Sequence, residues 1–74
     1  MNSNERRNDI IKMLINLNEP VKGSNLAKKY NVTRQIIVKD IALLRARGEN
    51  IIATPDGYMV GGDKINKITV IVAV

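Results

Sequence analysis

Three observations in this 74-residue sequence predict an α+β fold of three helices followed by a small antiparallel β-hairpin. An amphipathic stretch opens the chain. Two further helical segments follow, joined by a turn of about three residues. After them, two short apolar runs flank Pro55-Asp56-Gly57. The length suffices for one domain with a thin core. An apolar content of 45% is that of a globular chain and too high for a disordered one.

Residues 4–17 read as the first helix. Ile10, Ile11, Met13, Leu14, Ile15 and Leu17 fill a broad arc of its wheel, and Asp9, Lys12 and Asn16 fall outside it. Asn2 and Glu5 have the spacing of a capping box, with Ser3 as the alternative N-cap. Asn18-Glu19-Pro20 ends the helix, because the residue ahead of a proline avoids the α region. Pro20-Val21-Lys22-Gly23 reads as short and extended. Ser24 is the expected N-cap of a second helix, 25–30, which turns Leu26, Ala27 and Tyr30 inward. Asn31 suits a left-handed C-terminal turn, and Val32 follows as a buried plug. Thr33 is the expected N-cap of a third helix, 34–47. Gly48 stands at its C′ position, and Arg45 and Arg47 favour the negative end of its dipole.

Residues 51–60 form the hairpin in this reading. Pro55 presets φ at the first turn position and Gly57 takes the αL position. A helix, a helix-turn-helix and a hairpin make a winged helix-turn-helix domain over residues 1–62. Gly61-Gly62-Asp63 is a break. Residues 63–74 then read as a linker and the first strand of a second, ligand-binding domain that this chain lacks, because so apolar a strand is an aggregation hazard when exposed. The alternatives are that it adds to the hairpin sheet or pairs in a homodimer.

The formal net charge is +5, and it is concentrated. Lys22, Lys28, Lys29, Arg34, Lys39, Arg45 and Arg47 face Asp40 alone in the middle of the chain, while the remainder has five basic and six acidic residues. A localised basic patch suits a polyanion through counterion release, although a solvated charged face has the same composition. The third helix distinguishes the two. Ile37, Ile41 and Leu44 form an i, i+4, i+7 stripe toward the core. Gln35 and Lys39, with Ala42 and Ala46 behind them, lie opposite. A helix entering the major groove of double-stranded DNA needs such a face. Arg34, Gln35 and Val38 are the candidate base readers: a guanidinium for guanine, an amide for adenine, and an aliphatic group for a thymine methyl. Lys22, Ser24, Lys28, Thr33, Lys39 and Arg45 are the candidate phosphate contacts, with Lys29 a weaker one. Ile36 and Leu43 are expected to pack on the hairpin side. The wing comprises Thr54, Asp56, Gly57 and Tyr58. The anionic Asp56 at its tip argues for a weak contribution, and Tyr58 either donates its hydroxyl or packs beneath the wing.

Other function classes fit poorly. The chain has no His and no Cys, no clustered carboxylates and no phosphate-cradling glycine loop, so catalytic and metal residues are none and an enzyme is not expected. Two tyrosines are its only aromatic residues, too few for the stacking platforms of single-strand binders. No apolar run approaches the ~20 residues of a membrane span, and no signal peptide is evident, so the expected compartment is the cytoplasm.

The stretch Thr33-Arg34-Gln35-Ile36-Ile37-Val38-Lys39-Asp40-Ile41-Ala42-Leu43-Leu44-Arg45-Ala46, with Ile52-Ala53-Thr54-Pro55-Asp56-Gly57-Tyr58 after it, resembles the winged-helix domain of the nicotinate-responsive, NiaR-type repressors of NAD biosynthesis. The resemblance covers roughly residues 4–62. It implies a homodimer that represses NAD biosynthesis or niacin uptake genes. It also implies nicotinic acid as corepressor and a divalent metal, both held in a following 3H domain. Asp56 departs from the basic residue common at the wing tip of that family. The broader pattern of the third helix is shared with the biotin operon repressor's DNA-binding domain. A winged helix that binds protein is the remaining alternative.

Overall fold

The computed structural model describes residues 1–61. The proposed linker and strand at 63–74 lie outside the described residues. Three helices, α1 (Ser3–Leu17), α2 (Gly23–Tyr30) and α3 (Arg34–Ala46), precede a hairpin of β1 (Ile51–Thr54) and β2 (Gly57–Val60). This is the winged helix-turn-helix order that the sequence predicts.

Local chemistry sets most of the boundaries. The Asn2 side chain accepts the Glu5 amide at 2.8 Å, and the Glu5 carboxylate accepts the Asn2 amide at 2.9 Å. The box satisfies two of the orphan donors of the first turn. Asn18 ends α1 in the left-handed region at φ 53°. Asn31 does the same for α2 at φ 56°, with Val32 N–H returning to the Ala27 carbonyl at 3.0 Å. Thr33 caps α3 through its hydroxyl, which accepts Ile36 N–H at 3.2 Å. Gly48 at φ 100° closes α3: its amide reaches the Arg45 carbonyl at 3.0 Å and that of Glu49 reaches Leu44 at 3.1 Å, the paired bonds of a Schellman turn.

Ser24 is not the N-cap of α2. The helix begins at Gly23, with Lys22 as an N-cap that makes no side-chain capping bond. The cause is tertiary. Val21 exchanges two backbone hydrogen bonds with Tyr58, both 2.8 Å, an antiparallel bridge that holds the chain extended up to Lys22. The helix therefore starts where the bridge releases it, and Ser24 falls inside the first turn.

The core joins Ile10, Ile11 and Leu14 of α1, Leu26 of α2, Ile37, Ile41 and Leu44 of α3, and Ile51 of β1. Ile15 and Leu17, inside the broad apolar arc of α1, are exposed. Val32 is half-buried against the cluster and is not a fully enclosed plug. Tyr30 fastens α2 to α1 by donating its hydroxyl to Asp9 at 2.5 Å. Burial and this bond raise its pKa far above the ordinary phenol range.

In the hairpin, Ile51 pairs with Val60, Ile52 with Met59, Ala53 with Tyr58 and Thr54 with Gly57, so Pro55-Asp56 is a two-residue connection. Gly57 is not in the αL well, since its φ is 139°. It is glycine for a second reason as well: a Cβ there would stand 2.5 Å from the Val21 carbonyl oxygen and 2.7 Å from the Lys22 nitrogen. Gly48 also has positive φ, but a Cβ there meets nothing within 4 Å. Gly57→Ala is therefore expected to cost well over ~1 kcal/mol and to lower the thermal midpoint by more than ~5 °C. Gly48→Ala carries only the dihedral strain and loses less. Paired thermal melts followed by circular dichroism check the order.

Candidate nucleic-acid interface

The orientation of α3 follows from what it buries. Ile37, Ile41 and Leu44 are 2% exposed or less. Gln35, Lys39, Ala42 and Ala46 on the opposite side are all exposed, as the wheel predicts. At ~1.5 Å per residue the helix is about 20 Å long, and its ~10–12 Å diameter matches a major groove ~12 Å wide.

The one acidic residue of α3 is absent from that surface. Asp40 is 1% exposed and is the buried charged residue among those described. Arg6 of α1 grips it with a fork, Nε to Oδ2 at 2.5 Å and Nη2 to Oδ1 at 3.0 Å, and Arg7 adds a contact at 3.2 Å. The Asp40 bond raises the Arg6 pKa further above its ordinary value. Sequence reasoning missed this pair. The available signal was positional: Asp40 borders the aliphatic stripe, between Ile37 and Ile41, where an unpaired carboxylate is prohibitively costly.

The flanks of α3 differ from expectation. Ile36 and Leu43 do not pack on the hairpin; they are 37% and 39% exposed. The hairpin lies on the other flank, where Arg45 Nε donates to the Ile51 carbonyl at 2.9 Å. Arg45 thus clips α3 to β1, at the end of the helix remote from Gln35.

Six candidate residues converge on one cleft of about 360 Å³. Lys22 and Ser24 from the start of α2, Arg34 from the start of α3, and Thr54, Gly57 and Tyr58 from the wing line it, together with Gly23, Ala53 and Pro55. Gly23 keeps the cleft tight, since a Cβ there would lie 3.3 Å from the Tyr58 ring and 3.8 Å from Arg34 Nε. Tyr58 is half-buried and packs on the core edge. Thr54 is occupied with the turn, its hydroxyl donating to the Gly57 carbonyl at 2.9 Å and accepting Asp56 N–H at 3.1 Å. Asp56 is exposed and does not line the cleft. Gln35, Val38 and Lys39 stand apart from it on the open face of α3. Lys28 is exposed on α2, and the Lys29 ammonium lies 5.6 Å from the Tyr30 ring centroid. Thr33 is exposed at the cap of α3.

The surface combines an amide, cations and a groove-sized helix, which is chemistry for binding a polyanion. Among the described residues no group of His, Cys, Asp or Glu is placed to hold a metal, and no helix is long and apolar enough to cross a membrane.

Comparison with known proteins bears on the same elements. A family model described as an HTH domain matches residues 6–59. The "Probable transcription repressor NiaR" of Thermotoga maritima is 50% identical over 60 residues, which are 81% of this chain and 34% of that protein. The "Transcription repressor NadR" of Bacillus subtilis is 48% identical over 54 residues, 73% of this chain and 30% of that protein. The chain spans about a third of the length of these curated relatives.

Removing the Asp40 carboxylate leaves two guanidinium groups without a counterion against an apolar seam. The guanidinium groups keep a path to water, so Asp40→Ala is expected to destabilise the domain by roughly 1.5–3 kcal/mol. Urea denaturation beside the parent chain measures this, and a loss below about 1 kcal/mol contradicts the assignment.

Proposed function

The chain belongs to the HTH domain family, and from that premise we propose that it reads double-stranded DNA as the DNA-binding end of a transcription repressor. The observation that carries this reading is the exposed face of α3, where Gln35 and Lys39 stand free while the helix's own acid is withdrawn into an ion pair. Such a helix enters the major groove without repelling the phosphates on either wall.

The residues divide by reach. Gln35 reads adenine through its bidentate amide, for roughly 1–3 kcal/mol of discrimination. Arg34 stands at the helix tip but also lines the cleft beside Lys22, Ser24 and Tyr58, which suits it to a backbone phosphate as well as to guanine. Lys39 and the Thr33 hydroxyl serve the phosphates flanking α3, and Lys28 adds to the field. Arg45, committed to Ile51, contributes mainly by holding α3 on the hairpin. The wing supplies Tyr58 and little else, given the charge of Asp56.

The likeness to proteins named as transcription repressors, with the motif at 33–58, supports control of NAD biosynthesis or niacin uptake genes. In this reading two chains pair on a two-fold operator. Nicotinic acid and a divalent metal act through a second domain that begins near residue 63. The chain works in the cytoplasm and by occupying DNA, not by catalysis.

Affinity for duplex DNA should fall steeply with added salt, since each neutralised phosphate releases counterion. Gln35→Ala and Arg34→Ala should lose sequence preference. Lys39→Ala should weaken all sequences alike and reduce the salt slope by about one. Fluorescence anisotropy over a salt series reads all three. Binding indifferent to salt, or unchanged in every variant, refutes DNA reading and favours a protein partner.

A further inference from the structure

Ile36 and Val38 are aliphatic residues outside the buried core. They lie in the first part of α3 and are 37% and 49% exposed, while the core takes Ile37 from between them. On the helix wheel they fall on opposite flanks of the polar row formed by Gln35 and Lys39. Val38 shares its flank with Arg34 and Arg45, and Ile36 shares its flank with Leu43. Resting on the DNA-reading function above, we propose that Ile36 is a base-specificity residue. With Val38 it brackets the Gln35 amide, and the two bury the C5-methyl groups of thymines on either side of the adenine that Gln35 reads.

The chemistry is specific. Thymine alone among the four bases presents an apolar group to the major groove, and an aliphatic side chain is the complement to it. Ile36 lies about 1.5 Å and Val38 about 4.5 Å past Gln35 along the helix axis, so it is their opposite positions around the helix that set them to either side of it. A helix lying in the groove presents side chains so placed to the base pairs one ~3.4 Å step before and after the one Gln35 reads. The surroundings favour nucleic acid as the occupant. Arg34 and Lys39 flank the two side chains, and the acid of the same helix is paired and buried. The polar row separates Val38 from Ile36, and Leu43, on the flank of Ile36, lies about 10 Å further along the helix, whereas a protein partner is served by a contiguous apolar patch.

The experiment is a selection of preferred duplexes from a randomised pool with the full 74-residue chain, followed by replacement of each thymine with uracil, which removes only the methyl group. Two positions flanking an adenine should respond, each by about fourfold, the factor that corresponds to ~0.8 kcal/mol for one buried methyl at ~1.4 kcal/mol per tenfold. Ile36→Ala should weaken binding by at least that factor and abolish the response at one position, and Val38→Ala should do so at the other. Leu43→Ala, on the same flank as Ile36 but about 10 Å further along the helix, should leave both responses intact. Circular dichroism confirms that each variant keeps its helices. The inference is overturned if no thymine responds, or if Ile36→Ala weakens binding while both responses persist. It is equally overturned if Ile36→Ala and Leu43→Ala alike reduce self-association in sedimentation with both responses unchanged, which assigns the strip to a protein contact. A chain that binds no duplex even at low salt defeats the proposed function itself, whereas a chain that selects a motif and ignores uracil defeats this inference alone.

Discussion

The carboxylate of Asp40 sits in the seam between the first and third helices, and the third helix could take few other orientations while it is there. A charge removed from water must find partners of matching geometry. Here a guanidinium fork from Arg6 and a second contact from Arg7 meet it. Because Ile37, Ile41 and Leu44 are buried on the adjoining arc, rolling α3 about its axis would break the ion pair and expose the stripe together. The same residue that fixes the roll also removes the helix's acid from the surface. Positioning and electrostatics are therefore not separate achievements: one side chain aims Gln35 and Lys39 outward and leaves the face that carries them without an anion.

A second constraint sets the hairpin. Val21 and Tyr58 are hydrogen-bonded as strand partners, which brings the entry to α2 against the wing and creates the cleft that Lys22, Ser24, Arg34 and Tyr58 share. Two glycines make the approach possible. At Gly57 the backbone of Val21 and Lys22 occupies the space of a side chain, and at Gly23 the Tyr58 ring and Arg34 come close to it. The wing is consequently part of the body of the domain: its turn end, Ala53 to Tyr58 without the exposed Asp56, is drawn against the entry to α2.

Local rules made the helices legible. The aliphatic stripe of α3, the Thr33 cap, the left-handed Asn31 and the closing Gly48 each depend on neighbours within a turn or two, and each is found as read. The exposed row of Gln35, Val38 and Lys39 follows from the same periodicity. What sequence could not convey was long-range. Ser24 has the chemistry of a cap, but the bridge to Tyr58 decided where α2 begins. A wheel distinguishes inside from outside and says nothing about which neighbour lies on which flank. The sequence therefore suggests the flank of Ile36 and Leu43 for the hairpin, whereas the Arg45–Ile51 bond places it on the other. The partners of Asp40 lie a helix and two turns earlier in the chain, and the cleft is assembled from three separate segments. Residues 63–74 lie beyond the described part of the fold.

The Val21–Tyr58 pairing also bears on how the chain reaches this state. Its two residues enclose α2, α3 and β1, so forming it closes a loop that contains most of the domain, at an entropic cost that local contacts do not repay. The helices themselves, built from near neighbours, carry no such penalty, but docking α1 on α3 through Arg6 and Asp40 closes a loop of nearly the same length. The cleft exists only when the bridge is made, so any opening that breaks the Val21–Tyr58 bonds dissolves the cleft with them.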